Sequence, residues 1–285
     1  MQRQSPSRAE RSTPLRVLAS GIGFTEGPLW TSDGRLLVTS ASRGEIHELG
    51  LDGGAARVTI RVGGRPTGLA EALPGDLWIV SHGPDRPGLL RRRGNSTEQV
   101  LTRGGPAPTD CTADRQGRIW FTESSGSPLA GGPAGGRVCR FDPDAGTVVV
   151  LVANCLFPNG IGFSPAEDVL HVAETAAGRI CSYPVRPDGS LGPARHTDLG
   201  SARPDGLTVD ERGRVLVALV VGGAVAVLEP DGSPAGMLEL PGMNPTSVCL
   251  AGPDRRTLVA TVPSGGRVVA VDHWDAALTA PAVVR

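Results

Sequence analysis

The chain has 285 residues, of which 39% are hydrophobic and 20% are charged, so it can bury a core and is not expected to be disordered. The formal net charge is −1, which argues against nucleic acid as the main partner, and the lack of lysine excludes Schiff-base chemistry and a Walker-type phosphate loop. The 40 Gly and 25 Pro favour an all-β chain with many tight turns.

The sequence shows no clear signal peptide, membrane span or disulfide pattern. The first residues, MQRQSPSRAERSTP, are polar and lack the apolar core of a signal peptide, and no apolar run approaches the roughly 20 residues of a membrane span. The five cysteines are odd in number and form no CxxC pair, which is typical of free thiols in a reducing cytosol. We therefore expect a cytoplasmic protein without a membrane partner.

In chain order, we expect a disordered arm over residues 1–13 and a lone strand over residues 14–20. The first repeat follows over residues 25–53. It contains a short opening strand, an SDG turn, the apolar strand RLLVTS, a Gly-bearing turn and the strand EIHEL. The DG dipeptides in this repeat are hairpin signals.

Five further repeats of the same kind follow the first. They begin near Pro66, Pro108, Pro158, Pro204 and Asn244. Each has room for three to four short strands, and a period of about 41 to 50 residues fits one propeller blade. The sequence predicts an all-β, six-bladed β-propeller with a central channel over residues 14–285. The strand at residues 14–20 should join the last blade and close the ring, because open sheet edges are avoided.

The longest insertion, SSGSPLAGGPAGG at residues 124–136, follows a strand of the third repeat. Long loops beside a channel often carry function, so this one is a candidate lid or channel-lining segment. A plain connector is the alternative.

One register position recurs in all six repeats at the start of the innermost strand. The oxygen-bearing residues at this position, called the ring residues below, are Glu26, Thr67, Thr109, Asn159, Asp205 and Thr246. Equivalent positions in a closed ring of blades face one another across its axis, so we expect these side chains to surround the top of the channel.

Three of the ring residues, Glu26, Asn159 and Asp205, are natural ligands for a hard cation. Asn and Asp before Gly are also common turn formers, so each residue alone could be structural. Their shared register favours a single divalent cation. Ca²⁺ suits the oxygen donors best, and Mg²⁺, Mn²⁺ or Zn²⁺ are alternatives.

Several motifs resemble a known family. The segments TEGPLW, PNGIGFSP followed by LHVAET, and PDGLTVDERGRV are similar to those of the SMP-30/gluconolactonase/luciferin-regenerating-enzyme-like family of six-bladed propellers. The resemblance covers nearly the whole chain after residue 20. It implies that Glu26, Asn159 and Asp205 bind one divalent cation and that Asp205 is the general base in lactone hydrolysis.

The third repeat departs from the family pattern. Lactonases of the family usually have Asn-Asp there, often after an Arg that holds the sugar, whereas this chain has Thr109-Asp110 with Ala107 at the place of that Arg. A less polar lactone, an ester or an unrelated substrate therefore becomes more plausible. The Thr-Asp pair is closer to the lactonases and arylesterases of the same superfamily.

The predicted chemistry follows from charge. A divalent cation would polarise the acyl carbonyl, and Asp205 or a metal-bound water would assist the attack of water. Thr109 and Asp110 are expected to face or support the substrate pocket, and His82 to lie near the channel mouth as an acid or base. Glu123 and Glu174 end second strands and are expected to make surface or inter-blade hydrogen bonds.

The leading hypothesis is a metal-dependent hydrolase of a lactone or ester. A metal-dependent cyclase, isomerase or lyase and a non-catalytic ligand-binding propeller are the alternatives, because fold alone does not decide function. No Gly-x-Ser-x-Gly elbow occurs, so a serine hydrolase of the α/β type is not expected. We expect a small-molecule substrate and a monomer or small homo-oligomer.

Overall fold

A computed structural model describes residues 15–127 and 134–279 of the chain. The predicted arm at residues 1–13 lies outside this range. The described residues form six four-stranded antiparallel sheets, each made of consecutive strands except the last. The prediction of a six-bladed propeller is confirmed.

The first three blades take the strands in sequence order from the inside outwards. Blade one consists of β2 Thr25–Trp30, β3 Leu36–Ser40, β4 Glu45–Leu49 and β5 Arg57–Arg61. Blade two consists of β6 Arg65–Leu73, β7 Asp76–His82, β8 Gly88–Arg93 and β9 Ser96–Thr102. Blade three consists of β10 Ala107–Ala113, β11 Ile119–Ser125, β12 Gly135–Asp142 and β13 Thr147–Val152.

Blades four and five follow the same order, and blade six is completed by the start of the chain. Blade four consists of β14 Pro158–Phe163, β15 Val169–Glu174, β16 Arg179–Pro184 and β17 Arg195–Asp198. Blade five consists of β18 Pro204–Val209, β19 Val215–Leu219, β20 Ala224–Leu228 and β21 Pro234–Glu239. Blade six consists of β22 Ser247–Ala251, β23 Thr257–Val262, β24 Arg267–Asp272 and β1 Arg16–Ala19.

The ring is closed by β1, which pairs with β24 as the outermost strand of blade six. The Arg16 guanidinium holds the Asp272 carboxylate with two hydrogen bonds of 2.8 Å each. A short 3₁₀ helix at Trp274–Ala276 follows β24. The predicted closure by residues 14–20 is therefore confirmed by the pairing of Arg16–Ala19.

The core lies between the blades. Six apolar clusters each join two neighbouring sheets, and the cluster between blades two and three includes the fully buried Trp78 and Phe121. This arrangement buries both faces of every sheet, which explains why the second and third strands read as nearly continuous apolar runs. The rigid stack of sheets fixes the relative positions of the six innermost strands.

The predicted loop at residues 124–136 is shorter than expected from the sequence. Ser124 and Ser125 extend β11 and pair with Gly136 and Gly135 of β12, so the hairpin continues into the Gly-rich segment. Residues 128–133 of this segment lie outside the described residues. None of the helical segments in residues 15–127 and 134–279 is long and apolar enough to cross a bilayer.

Candidate functional site

The ring residues lie at one end of the channel, called the upper end below, where the innermost strands begin. Glu26, Asn159 and Asp205 are the second residues of β2, β14 and β18. Thr67 and Thr109 are the third residues of β6 and β10, and Thr246 directly precedes β22. The innermost strands contact one another in order around the circle, from blade one to blade six and back. The shared register therefore becomes one ring in space.

Bulges in the innermost strands change the direction of the side chains of the ring residues. In blades four and five, two residues of the innermost strand lie opposite one residue of the second strand, and the unpaired residues are Asn159-Gly160 and Asp205-Gly206. Blade three has the same irregularity at Thr109-Asp110. A bulge adds local twist and redirects a side chain, which is why bulges are common next to active sites.

The glycines after the ring residues permit close contact between blades. A Cβ atom on Gly160 would clash with the Asp205 carbonyl oxygen, and one on Gly206 would clash with the Ser247 side chain. Both glycines belong to strands, so the Asn-Gly and Asp-Gly pairs do not form turns here. The turn-former alternative for Asn159 and Asp205 is thereby wrong, and their recurrence reflects strand packing around the channel.

The two acidic ring residues interact electrostatically across the ring. Burial raises the pKa of the Glu26 carboxyl well above its usual range, and the nearby Asp205 carboxylate raises it further. Burial likewise raises the pKa of Asp205, with a further contribution from the Asp110 carboxylate. Glu26 and Asp205 are surrounded by protein yet keep part of their surface accessible to solvent, as residues lining a channel do. Blades one and five thus bring like charges together.

Neutral ring residues provide the other contacts. A hydrogen bond from Asn159 lowers the pKa of Asp205, and one from Thr246 lowers that of Glu26, so each partly offsets the effect of burial. The Asn159 side-chain nitrogen also lies 3.4 Å from the Thr175 hydroxyl. Within the described residues, the buried Thr67 hydroxyl has no hydrogen-bond partner. A buried hydroxyl without a partner at a ring position fits a site that takes a further ligand.

Asp110 stands where four other blades have glycine at the corresponding position, in Gly27, Gly68, Gly160 and Gly206. Its carboxylate accepts the Cys111 N–H at 2.8 Å and also the Ile161 N–H. Burial nevertheless raises the pKa of Asp110 to about 7. Sequence reasoning assigned this residue to the substrate pocket and missed its interaction with Glu26 and Asp205, although an acidic residue at a glycine position was a visible signal.

A cavity of about 340 Å³ approaches the ring from the opposite end of the channel. Asp110, Gly27 and Ser247 lie on its wall, together with residues farther along the innermost strands. Asp110 therefore borders this cavity and also interacts with Glu26 and Asp205. This cavity and the upper mouth approach the same group of acidic side chains from two directions.

His82 ends β7 and lies opposite Arg65 of β6. Burial and the Arg65 charge lower the pKa of its imidazole, which favours the neutral form. The structurally equivalent Ser124 and Thr175 donate hydrogen bonds to the carbonyls of Pro158 and Pro204, which directly precede ring residues. His82 therefore belongs to the rim of the upper mouth, as expected from its strand position.

Glu123 and Glu174 have arginine partners. Glu123 is fully buried and binds Arg103, with one N–O distance of 2.8 Å, and Arg137. Glu174 pairs with Arg179 at 2.6 Å and accepts the Leu156 N–H at 3.1 Å. The expectation was surface or inter-blade hydrogen bonds; both carboxylates form buried ion pairs, and each also bonds a residue in the segment that connects two blades, Arg103 or Leu156.

The candidate cation donors are thus Glu26, Asn159 and Asp205, with Thr67, Thr246 and Asp110 nearby. In residues 15–127 and 134–279, no three side chains of His, Cys, Asp and Glu converge as a metal-ligand cluster. The three donors Glu26, Asn159 and Asp205 include only two such residues, and the third donor is an amide oxygen. That composition suits a hard cation, whereas zinc sites use mainly nitrogen and sulfur.

Comparison with known proteins shows the family of the chain. The family model described as "SMP-30/Gluconolactonase/LRE-like region" matches residues 24–264. The chain belongs to the SMP-30/gluconolactonase/LRE-like family. The matched range includes all six ring residues, so the residues discussed above lie inside the family region.

Relatives within the family are named as lactonases. The chain is similar to the pentonolactonase XacC of Haloferax volcanii, with 29% identity over 89% of this chain and 86% of that protein. It is 24% identical to the gluconolactonase of Zymomonas mobilis, over 87% of this chain and 78% of that protein. Among solved structures, the calcium-binding protein regucalcin of Agrobacterium tumefaciens has the same fold, with a TM-score of 0.77, 22% identity and coverage of 91% and 94% of the two chains.

Proposed function

We propose that the protein hydrolyses a lactone with the help of one divalent cation held by Glu26, Asn159 and Asp205. Membership of the SMP-30/gluconolactonase/LRE-like family and similarity to a pentonolactonase and a gluconolactonase support the reaction. The substrate would be a small molecule bound at the upper end of the channel.

The observation that carries the proposal is the meeting of two carboxylates from blades one and five at the ring. The ionised form of Glu26 and of Asp205 is unfavourable, because burial removes water from each carboxylate and another carboxylate lies close to it. A divalent cation at this place would relieve that repulsion. The Asn159 amide and the unsatisfied Thr67 hydroxyl add neutral oxygen atoms to the site.

The identity of the cation follows from the donor chemistry. Carboxylate and amide oxygens are the ligands that Ca²⁺ takes in proteins, at about 2.3–2.6 Å. The similarity in fold to a calcium-binding regucalcin agrees with this choice. We propose Ca²⁺ as the resident ion, with Mg²⁺, Mn²⁺ and Zn²⁺ as the ions to be compared with it.

The residues have separate tasks in this proposal. A bound cation would polarise the lactone carbonyl and offset the negative charge that develops on its oxygen. Asp205 would accept the proton of the attacking water, and the Asn159 amide beside it would hold its carboxylate in place. Thr109, Asp110 and His82 would position the lactone. The neutral form of His82, favoured by burial and Arg65, can accept or donate a hydrogen bond.

The test is a hydrolysis screen of metal-stripped protein. Purified protein is treated with EDTA, and acid release from glucono-1,5-lactone, a pentonolactone and δ-valerolactone is followed after Ca²⁺, Mg²⁺, Mn²⁺ or Zn²⁺ is added. We expect ring opening only with added cation and loss of activity in Asp205→Ala. Asp231→Ala is the matched control, because Asp231 lies in an exposed turn of the same blade. Turnover that survives in Asp205→Ala after cation binding is lost would contradict the assignment.

A further inference from the structure

The upper mouth carries exposed apolar side chains next to the candidate cation donors. Phe24, Leu156 and Val221 are 44%, 43% and 49% exposed. Phe24 precedes Glu26 by two residues, and Leu156 precedes Asn159 by three. Val221 follows Val220, whose N–H donates to the carbonyl of Arg203, two residues before Asp205. Each donor-bearing blade thus has an apolar residue at the mouth.

Backbone contacts place these residues at the upper end. The Phe24 carbonyl accepts the N–H of Ala41, which follows β3, and the Leu156 carbonyl accepts the N–H of Ala176, which follows β15. Val221 lies in the turn between β19 and β20. All three positions are at the end of the channel where the innermost strands begin. Leu156 and Val221 belong to neighbouring blades, so they border the same sector of the mouth.

Most arginines near this mouth are already engaged. Arg103 and Arg137 bind Glu123, and Arg179 binds Glu174. Arg203 donates to the Ala176 carbonyl at 3.2 Å and Arg86 to the Val62 carbonyl at 3.0 Å. A guanidinium that is bound in this way has fewer donors left for substrate hydroxyls. In blade three, the innermost strand begins with Ala107, which has no polar side-chain atom.

The polar side of the rim is in blade two, where Arg65 is exposed and lies opposite the half-buried His82. Blade two faces blade five across the six-membered ring. The exposed apolar side chains of the mouth lie in blades one, four and five, and the polar groups beside them, such as Arg43, Arg203 and Asn244, already donate to backbone carbonyls. A ligand with one polar ring and one hydrocarbon substituent matches this arrangement, whereas a lactone with a hydroxyl on every carbon does not.

We propose that the substrate is a lactone with an apolar alkyl or aryl substituent that packs on Phe24, Leu156 and Val221. The inference rests on the proposed lactone hydrolysis at the ring. It names the substrate class of that site. Removal of the substituent from water against these side chains would favour its binding, since hydrocarbon burial contributes in proportion to area.

The experiment compares three six-membered lactones with the metal-loaded protein: δ-decalactone, unsubstituted δ-valerolactone and glucono-1,5-lactone. We expect kcat/KM for δ-decalactone to exceed that for δ-valerolactone by about 10-fold or more, because its five-carbon chain can bury several methylene groups. We expect glucono-1,5-lactone to be the poorest of the three. If it is the best, the inference is wrong while lactone hydrolysis stands. If none is opened with any of the four cations, the proposed function itself fails.

Variants test whether the rim contacts the substituent. The combined substitution Phe24→Ser, Leu156→Ser and Val221→Ser should lower kcat/KM for δ-decalactone by about 10-fold and leave δ-valerolactone within about twofold. Val150→Ser is the matched control, because Val150 is 47% exposed on the outermost strand of blade three. A δ-decalactone preference that survives the triple substitution, in protein with an unchanged thermal midpoint, would overturn the proposal.

Discussion

Two sets of carboxylates at the upper end of the propeller are both enclosed by protein, and they differ in their partners. Glu123 binds Arg103 and Arg137, and these guanidinium groups hold its pKa below the usual value although burial acts in the opposite direction. Glu26 and Asp205 have no arginine partner among the described residues, and their pKa values are raised. The comparison separates an ion pair that the chain completes by itself from a site at which we propose that a bound cation balances the charge.

The largest expected effect is on turnover at the ring. Asp205→Ala removes a proposed cation donor and the proposed base together, so kcat/KM should fall by at least about 100-fold. Hydrolysis of the preferred lactone and Ca²⁺ titration by calorimetry should both show the loss. Circular dichroism checks that the variant is folded. If Asp205→Ala and Glu123→Gln lost activity and cation affinity to the same extent, the proposed difference between the ring carboxylates and Glu123 would be wrong.

The next effect is on stability at the paired carboxylate. Glu123→Gln leaves Arg103 and Arg137 without their charged partner, and we expect it to lower the free energy of unfolding by about 2–3 kcal/mol. The value is below that of a fully buried pair because both arginines retain some solvent exposure. Urea denaturation measures the change. A loss under about 0.5 kcal/mol would show that the ion pair is not structural.

The matching substitution at the ring should act in the opposite direction. Glu26→Gln removes a charge that burial and Asp205 disfavour. In metal-free protein at pH 7.5 we expect it to raise the thermal midpoint by roughly 2–4 °C, the shift that about 1 kcal/mol produces at this size. The same substitution should abolish the rise in midpoint that Ca²⁺ produces in the wild-type protein. A lower midpoint without metal would mean that Glu26 stabilises the fold as Glu123 does.

The last effect, which opposing groups reduce, is the pH dependence of metal-free stability. Asp110 has a pKa of about 7 in the folded protein against the usual 3.8. Between these values a folded Asp110 binds more protons than an unfolded one, so its contribution to the free energy of unfolding should rise as pH falls from 8 to about 5. The raised pKa values of Glu26 and Asp205 act in the same direction. Glu123 acts oppositely, because a lowered carboxyl pKa contributes stability that is lost on acidification. Burial lowers the pKa of His47, His82 and His171, so these groups also oppose the rise below about pH 6.5.

Thermal melts at several pH values, with EDTA and with Ca²⁺, measure this dependence. Saturating Ca²⁺ should remove the gain on acidification, since cation binding competes with protons for the same carboxylates. A metal-free midpoint that falls steadily from pH 8 to pH 5 would contradict the electrostatic account of the ring.

Much of the fold was predictable because the sequence repeats. The recurring position of Glu26, Asn159 and Asp205, together with the DG turns and apolar strands, was sufficient to predict six blades and the closure of the ring. Long-range pairing of β1 with β24 followed from the need to cover a sheet edge. These features were predictable because the same short sequence pattern occurs in every blade.

The partners of individual charges were less predictable. The sequence spacing of Glu123, Arg103 and Arg137 does not predict that their side chains form ion pairs. These contacts depend on how two strands and a loop pack in blade three. The interaction of Asp110 with Glu26 and Asp205 arises from three different blades. Such contacts depend on tertiary packing. A repeat pattern predicts where each strand lies to within a few residues, which is too coarse to predict contacts between single side chains.

The central claim is that Glu26, Asn159 and Asp205 hold one cation, and anomalous scattering from a crystal soaked in Mn²⁺ tests it most directly. The account predicts one strong peak within about 2.0–2.6 Å of oxygen atoms from all three side chains, and no peak at Glu123. No peak at the ring under saturating Mn²⁺, or a peak that one of the three residues does not contact, would contradict it.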